Sequence, residues 1–134
     1  IYQFFNLIPT LNVEENITLP CELDGQTVDK KRLDKLIDEL GLNGRKTHLP
    51  EELSGGQQQR VSIGRALINR PAIVLADEPT GNLDKKNSDE IVELLRRANQ
   101  EYRQTIIMIT HNLEIAKTAD RVIVIEDGKI IREG

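Results

Sequence analysis

The stretch Ala72-Ile73-Val74-Leu75-Ala76-Asp77-Glu78-Pro79 decides how this chain reads. Five apolar residues in a row, with Pro71 and Pro79 at either side, mark a strand buried on both faces. Pro79 to Leu83 forms a loop. Asp84 then stands as the N-cap of a long helix whose apolar stripe is Ile91, Leu94, Leu95, Ala98 and Tyr102. A second buried strand, Thr105 to Thr110, follows. Leu113 to Ala119 reads as a short helix. Arg121 to Glu126 and Lys129 to Arg132 read as strands joined by Asp127-Gly128, a strong hairpin pair. Strand, helix, strand, helix, strand is the order that builds a parallel sheet with helical crossovers.

Upstream of that stretch the chain is mainly helix and loop. Residues 1–20 are irregular and apolar, punctuated by Pro9 and Pro20, with room for one or two helical turns at Val13-Glu14-Glu15-Asn16-Ile17. Asp24-Gly25 is a turn signal. Thr27 reads as the N-cap of a helix carrying Leu33, Leu36, Ile37 and Leu40. Gly41 ends it, and Leu42 supplies the hydrophobic contact of a Schellman-type cap. Ser54 and Gln57 have the capping-box spacing, which starts a helix running to about Asn69 and stopped by Pro71. No internal repeat or low-complexity tract interrupts the chain.

Composition removes several classes of function. There are 18 basic and 22 acidic residues, a net charge of −4, so a basic nucleic-acid footprint is absent. Aromatics are 3 %, and three of the four, Tyr2, Phe4 and Phe5, sit in the first five residues, which leaves no stacking platform for single strands. The longest apolar runs fall far short of the about 20 residues a bilayer span requires. No basic region followed by an apolar one opens the chain, so no secretory signal is seen. Cys21 is the only cysteine, so it forms no internal disulfide. No histidine has another His or Cys at zinc-ligand spacing.

Chemistry is sought at the carboxyl ends of the strands, where open parallel sheets bind ligands. Asp77 and Glu78 follow the first strand and His111 follows the second. Adjacent acids at a buried strand end are costly unless a cation or hydrogen bonds offset them, and a Mg²⁺ ion held by one with a water oriented by the other explains the pair. Taken alone, Asp77-Glu78-Pro79 also fits a solvated turn, and His111 a surface side chain. The segment Leu53-Ser54-Gly55-Gly56-Gln57-Gln58-Gln59-Arg60 adds two consecutive glycines at a helix start. They let a backbone or a phosphate approach, and the first-turn amides form an anion site.

These residues resemble a known family, the ABC-type ATPases. Leu53–Gln57 is similar to the LSGGQ signature, Ile73–Glu78 to the Walker B strand, Gly81-Asn82-Leu83-Asp84 to the D-loop, Thr110-His111 to the switch-histidine loop, and Tyr2–Leu7 to the Q-loop. All five occur in the family's order, across nearly the whole chain. Phe5–Leu11, Glu15-Asn16-Ile17 and Ala76–Asp84 resemble the subfamily of lipoprotein-release, macrolide-export and antimicrobial-peptide-resistance ATPases. Asn112 stands where Asp is commoner, a small departure from that subfamily.

The resemblance implies a P-loop NTPase-like α/β fold, a parallel sheet with helical crossovers plus an α-helical subdomain, incomplete at its N-terminus. Residues 1–70 then hold the Q-loop and the helical signature subdomain, and 71–134 the C-terminal part of the ATPase core. It implies ATP and Mg²⁺ as ligands, with hydrolysis to ADP and phosphate powering export or extraction of an amphipathic substrate. Gln3 senses Mg²⁺ and the attacking water. Ser54, Gly55, Gly56 and Gln57 bind the γ-phosphate of ATP held by the opposite protomer of a head-to-tail dimer. Asp77 holds Mg²⁺ through water, Glu78 is the general base, Asp84 communicates across the dimer, and His111 contacts the γ-phosphate. The implied partners are a transmembrane permease subunit and a second ATPase protomer, at the cytoplasmic face of the membrane, with no nucleic acid.

The phosphate-binding loop G-x-x-x-x-G-K-[ST] is missing from these residues. The only Gly-Lys pair is Gly128-Lys129, followed by Ile130 and with Ile123 in place of the first glycine. That loop supplies most of the grip on the β- and γ-phosphates. The expectation is therefore a chain that is inactive alone and self-associates through uncovered sheet. Two other readings remain: a non-catalytic interaction module docking through Gln3–Pro20 and the helical region, and a soluble ABC ATPase of DNA repair or translation. No heptad tract of the repair type and no basic linker of the translation type is seen.

Overall fold

The computed structural model describes residues 1–134. Its elements run α1 (Val13–Leu23), α2 (Lys30–Glu39), α3 (Gly55–Leu67), β1 (Ile73–Asp77), α4 (Lys85–Tyr102), β2 (Thr105–Ile109), α5 (Leu113–Ala116), β3 (Ile123–Glu126) and β4 (Lys129–Glu133). Short 3-10 turns at Asn43–Arg45 and Pro50–Glu52 occupy the connection between α2 and α3. The class is α/β, as the alternation implies. β1 and β2 pair in parallel, Ile73 opposite Thr105 and Asp77 opposite Ile109, with α4 as the crossover.

Caps explain where the helices begin. Gln57 N–H donates to Ser54 Oγ at 3.2 Å and Ser54 N–H donates to Gln57 Oε1 at 3.0 Å, so the capping box that opens α3 is formed. Asp84 accepts from Asn87 N–H at 2.8 Å at the start of α4. The α2 cap is Asp29 rather than Thr27, because Asp29 Oδ1 accepts from Lys31 N–H at 3.0 Å. At the other end of α2, Leu42 N–H donates to Ile37 O and Gly41 N–H to Asp38 O, a Schellman closure with Leu42 fully buried.

Three expectations are corrected. First, β1 and β2 are not covered on both faces. Val74 and Ala76 are buried, with Ile106 and Met108 packed beside the core, whereas Ile73, Leu75, Ile107 and Ile109 face outward. The helices pack on one side of the pair only, so an unbroken apolar run here carries period-2 burial. Second, β3 does not join that sheet. It pairs with β4 alone, antiparallel, as a separate two-stranded sheet. The positive φ of Asp127 (47°) and Gly128 (73°) closes the hairpin locally. Third, α1 runs through Pro20 instead of stopping before it. The proline costs one helical bond to the Asn16 carbonyl, and the capping box of Asn12 and Glu15 anchors the helix start. The last helix is also shorter than expected, ending at Ala116.

One buried cluster joins the two halves of the chain. It runs from Val13, Ile17 and Leu36 through Val61 and Ile63 to Val74, Ile91, Leu95 and Ala98. α1 and α3 meet closely at Gly64, where a Cβ would stand 2.7 Å from Leu40 Cδ1 and 3.1 Å from Ile17 Cδ1. Buried Asn16 organises the loop before α1. Its amide donates to the carbonyls of Ile8, Leu11 and Asn12, and its oxygen accepts from Ile8 N–H. No helix is long and apolar enough to cross a membrane.

Candidate functional site

Where β1 and β2 end, their side chains meet. Glu78 N–H donates to Ile109 O at 2.9 Å, which extends the pairing one residue past the strand. Glu78 has φ +44°, in the left-handed region, a conformation that costs a non-glycine residue on the order of 1 kcal/mol or more and turns its side chain out of the strand's alternation. One oxygen of that side chain, Oε1, accepts from His111 N–H at 2.9 Å and from His111 Nδ1–H at 2.7 Å. A carboxylate only accepts, so this contact places a proton on Nδ1 and leaves Nε2 outside the pair. The Glu78 side chain is 19 % exposed and that of His111 83 %, so the imidazole forms the solvent side of the pair.

Asp77 ends β1 with its side chain exposed. No three His, Cys, Asp or Glu side chains are close enough to hold a metal ion by themselves. Mg²⁺ seldom uses an all-protein cage; it keeps waters and takes one or two oxygen ligands beside substrate phosphates. An exposed carboxylate, that of Asp77, and a neutral carboxamide oxygen, that of Gln3, are oxygen donors of the kind this chemistry uses.

Gln3 lies over the loop that follows Glu78. Its Nε2 donates to Asn82 Oδ1 at 3.2 Å, and Asn82 Nδ2 donates back to Gln3 O at 3.2 Å. Gly81 leaves the space: a Cβ there would stand 2.7 Å from Gln3 Nε2. Ser54 and Gln57 bond to one another at the head of α3. A Cβ on Gly55 would meet Phe5 and Leu83 at 3.6 Å, an ordinary contact distance. Gly56 is tighter, since a Cβ on it would stand 2.0 Å from Asn87 Oδ1. Asn87 in turn donates from both its backbone and side-chain nitrogens to Asp84 Oδ1, each at 2.8 Å. The backbone N–H of Asn87 first, and its amide second, hold the Asp84 carboxyl below the usual carboxylate range.

The structure thus brings Glu78 and His111 together, puts Gln3 against Gly81-Asn82, and seats Gly56 against the start of α4. No hydrogen bond or ion pair links Ser54–Gln57 directly to Glu78 or His111. Two residues outside the motif list tie these parts together. Gln59, fully buried, donates from Nε2 to Tyr2 O at 3.0 Å and to Pro79 O at 2.5 Å. Arg65 donates to Asn6 O at 2.7 Å and Phe5 O at 3.1 Å. Residues 2–6 are therefore stapled to α3, and α3 to the residue after Glu78. A signal for Gln59 exists in the sequence: it lies four residues before Ile63 on the buried side of α3. Its partners, two carbonyls far along the chain, carry no signal at all.

A family model described as ABC transporter matches residues 1–81. An ABC transporter ATP-binding protein of Escherichia coli, YbbA, is 45% identical over 135 residues, covering 99% of this chain and 59% of the relative. The macrolide export ATP-binding/permease protein MacB of Rhodopirellula baltica is 44% identical over 137 residues, covering 99% of this chain and 20% of the relative. A solved dimeric structure of the ATP-binding cassette MJ0796, in a post-hydrolysis state bound to ADP and Pi, superposes with a TM-score of 0.83 at 39% identity. It covers 99% of this chain and 61% of that one. The chain thus spans about three-fifths of the length of YbbA and of the cassette.

Proposed function

The chain belongs to the ABC transporter family, and on that premise we propose that it forms part of an ATP-hydrolysing subunit that powers a membrane transporter. Residues 1–70 serve as its Q-loop and signature region and 71–134 as the C-terminal part of its catalytic core, both built on the one shared cluster of buried side chains. The reaction is ATP plus water to ADP plus phosphate. Export or extraction of an amphipathic substrate is the transport step, a reading supported by the likeness to a macrolide export ATP-binding/permease protein.

The observation that carries the reading is the shared oxygen Glu78 Oε1. With that oxygen tied to His111 twice, the carboxylate plane is fixed and Oε2 remains to accept a proton from an attacking water. His111 Nε2, outside that pair, donates to the incoming phosphate when the ring carries a proton on both nitrogens. Gln3, held on the loop after Glu78, orients the same water. Asp77, through water, and the Gln3 carbonyl oxygen would hold Mg²⁺, which supplies charge neutralisation at the phosphates. Ser54, Gly55, Gly56 and Gln57 present helix-start donors to the γ-phosphate of a nucleotide carried by a second protomer. Asp84, at the head of α4 next to Gly56, reports that contact across the dimer. Phosphoryl transfer is mostly positioning and charge stabilisation, and these parts supply both.

The remaining partners follow from the same reading. A transmembrane permease docks near the exposed Tyr2 and Phe4, at the cytoplasmic face of the membrane. The 134 residues contain no G-x-x-x-x-G-K-[ST], so alone they turn over no ATP. The test is complementation. A polypeptide carrying that loop from the full-length protein, mixed with this chain, restores ATP hydrolysis. Steady hydrolysis by the pure 134 residues, or none after complementation by a folded partner, refutes the proposal.

A further inference from the structure

Cationic side chains are gathered at the other end of the sheet. A groove of about 540 Å³ opens between α2, the end of α3 and the end of α4, within the usual size of small-molecule sites. Lys31, Arg32, Lys35 and Arg70 line it, with Asp29 as the one acid in its wall. Asp29 is committed elsewhere, because its Oδ1 caps α2 through Lys31 N–H. Lys35 has a partner in Glu39 at 3.4 Å. Lys31, Arg32 and Arg70 have no ion-pair partner, in a chain whose net charge is −4.

The groove is rigid where it is charged. Arg32 donates from Nε to Ile68 O at 2.9 Å and from Nη2 to Leu67 O at 2.7 Å, which locks its guanidinium against the end of α3. Arg70 has φ +50°, a strained conformation for a side chain of its size. Burial first, and then the nearby Arg70, pull the Arg32 pKa down, against smaller opposing effects of Tyr102, Cys21 and Glu39. Tyr102 contributes an aromatic face, with Lys35 Nζ 5.7 Å from its ring centre. Gln104, 4 % exposed, donates to Pro71 O at 2.9 Å, and its buried Oε1 has no partner. A buried acceptor without a donor is costly unless a ligand supplies one.

We propose that this groove is a second binding site, which takes a small phosphate monoester carrying at least one hydroxyl or amino donor. The unpaired Lys31 and Arg70 hold the phosphate, Arg32 lends its charge from a fixed position, and the ligand's polar body lies along Tyr102 toward Gln104. The site is separate from Glu78 and His111. Arg70 and Gln104 precede β1 and β2, the other two follow them, and a strand of this length spans roughly 17 Å.

The test uses the full-length protein containing this chain, saturated with ADP so that the hydrolysis site is filled. Glucose 6-phosphate is titrated by calorimetry, with glucose as the neutral control and phosphatidylglycerol vesicles as the lipid arm. The expected result is binding of glucose 6-phosphate but not glucose, weakened tenfold or more in Lys31→Gln/Arg70→Asn, with unchanged basal ATPase and melting temperature. Asparagine tolerates the left-handed backbone at position 70, and Lys31→Gln alone, weakening binding severalfold, serves if the pair melts early. Vesicle binding lost in the same variant, without glucose 6-phosphate binding, assigns the phosphate to a lipid headgroup and overturns the soluble ligand. Equal binding by wild type and variant, or none to either probe, overturns the site.

Discussion

Gly56→Ala puts the contact between the two helix starts to the test. The added Cβ stands 2.0 Å from Asn87 Oδ1, 2.6 Å from its Cγ and 3.3 Å from its Cβ. Swinging the amide away relieves the first two contacts and breaks the 2.8 Å bond from Asn87 Nδ2 to Asp84. That bond contributes about 0.5–1.5 kcal/mol, and the remaining crowding adds overpacking of about 1–3 kcal/mol. Alanine returns up to about 1 kcal/mol of helix propensity. The net expectation is a loss of about 1–3 kcal/mol, which at this chain length lowers the melting temperature by about 3–5 °C per kcal/mol. In an Asn87→Ala background the amide is gone and only the 3.3 Å contact with Cβ remains, so Gly56→Ala becomes close to neutral. The assay is a double-mutant cycle by denaturant unfolding of the full-length protein. A coupling energy below about 0.5 kcal/mol refutes the packing argument. If the pair restores stability while ATP hydrolysis stays impaired, the glycine also serves a phosphate, as its place in the signature implies.

Three further expectations follow. Gln59→Leu strips two donor contacts, to Tyr2 O and Pro79 O, and leaves buried carbonyls unpaired; unfolding free energy should fall by about 1–3 kcal/mol, and an unchanged denaturation midpoint counts against the clamp. Burial, followed by the hydrogen bond to Glu39, pushes the Tyr102 pKa from 10.0 up to about 12; the folded state then holds its proton longer than the unfolded one, so stability is whole below pH 10.0 and declines as pH rises toward 12. Tyr102→Phe should flatten that decline, and an identical alkaline profile refutes it. Ile73, Leu75, Ile107 and Ile109 form an outward apolar face whose burial is worth roughly 25 cal/mol per Å², so the 134-residue chain should scatter light as a dimer or larger species, and a monomer at high concentration contradicts this.

Much of the arrangement is local and therefore legible. Ser54 with Gln57, Asp84 with Asn87, and Gly41 with Leu42 complete their caps within a few residues, so the chain spells them out. Asp77, Glu78 and His111 are placed by the rule that strand ends meet at one edge, and Glu78 and His111 do meet there. What sequence could not show is long-range or one-sided. An unbroken apolar run looks alike whether one face or both are covered, which is why β1 and β2 were expected to be buried twice. Val13–Ile17 reads as only one or two helical turns, because the packing of α1 on α3 that carries the helix on through Pro20 is tertiary. Gly56 owes its smallness partly to Asn87, a partner thirty-one residues away, and Gln59 acts through the backbone carbonyls of Tyr2 and Pro79, which no side-chain pattern announces.

The most direct measurement is single-turnover ATP hydrolysis by the full-length protein, in wild type and in Glu78→Gln, with ATP affinity determined alongside. The amide keeps the size of the side chain and removes the base. Hydrolysis should fall by about 10²–10⁴-fold while ATP affinity stays within a few-fold. Hydrolysis near the wild-type rate in Glu78→Gln contradicts the account.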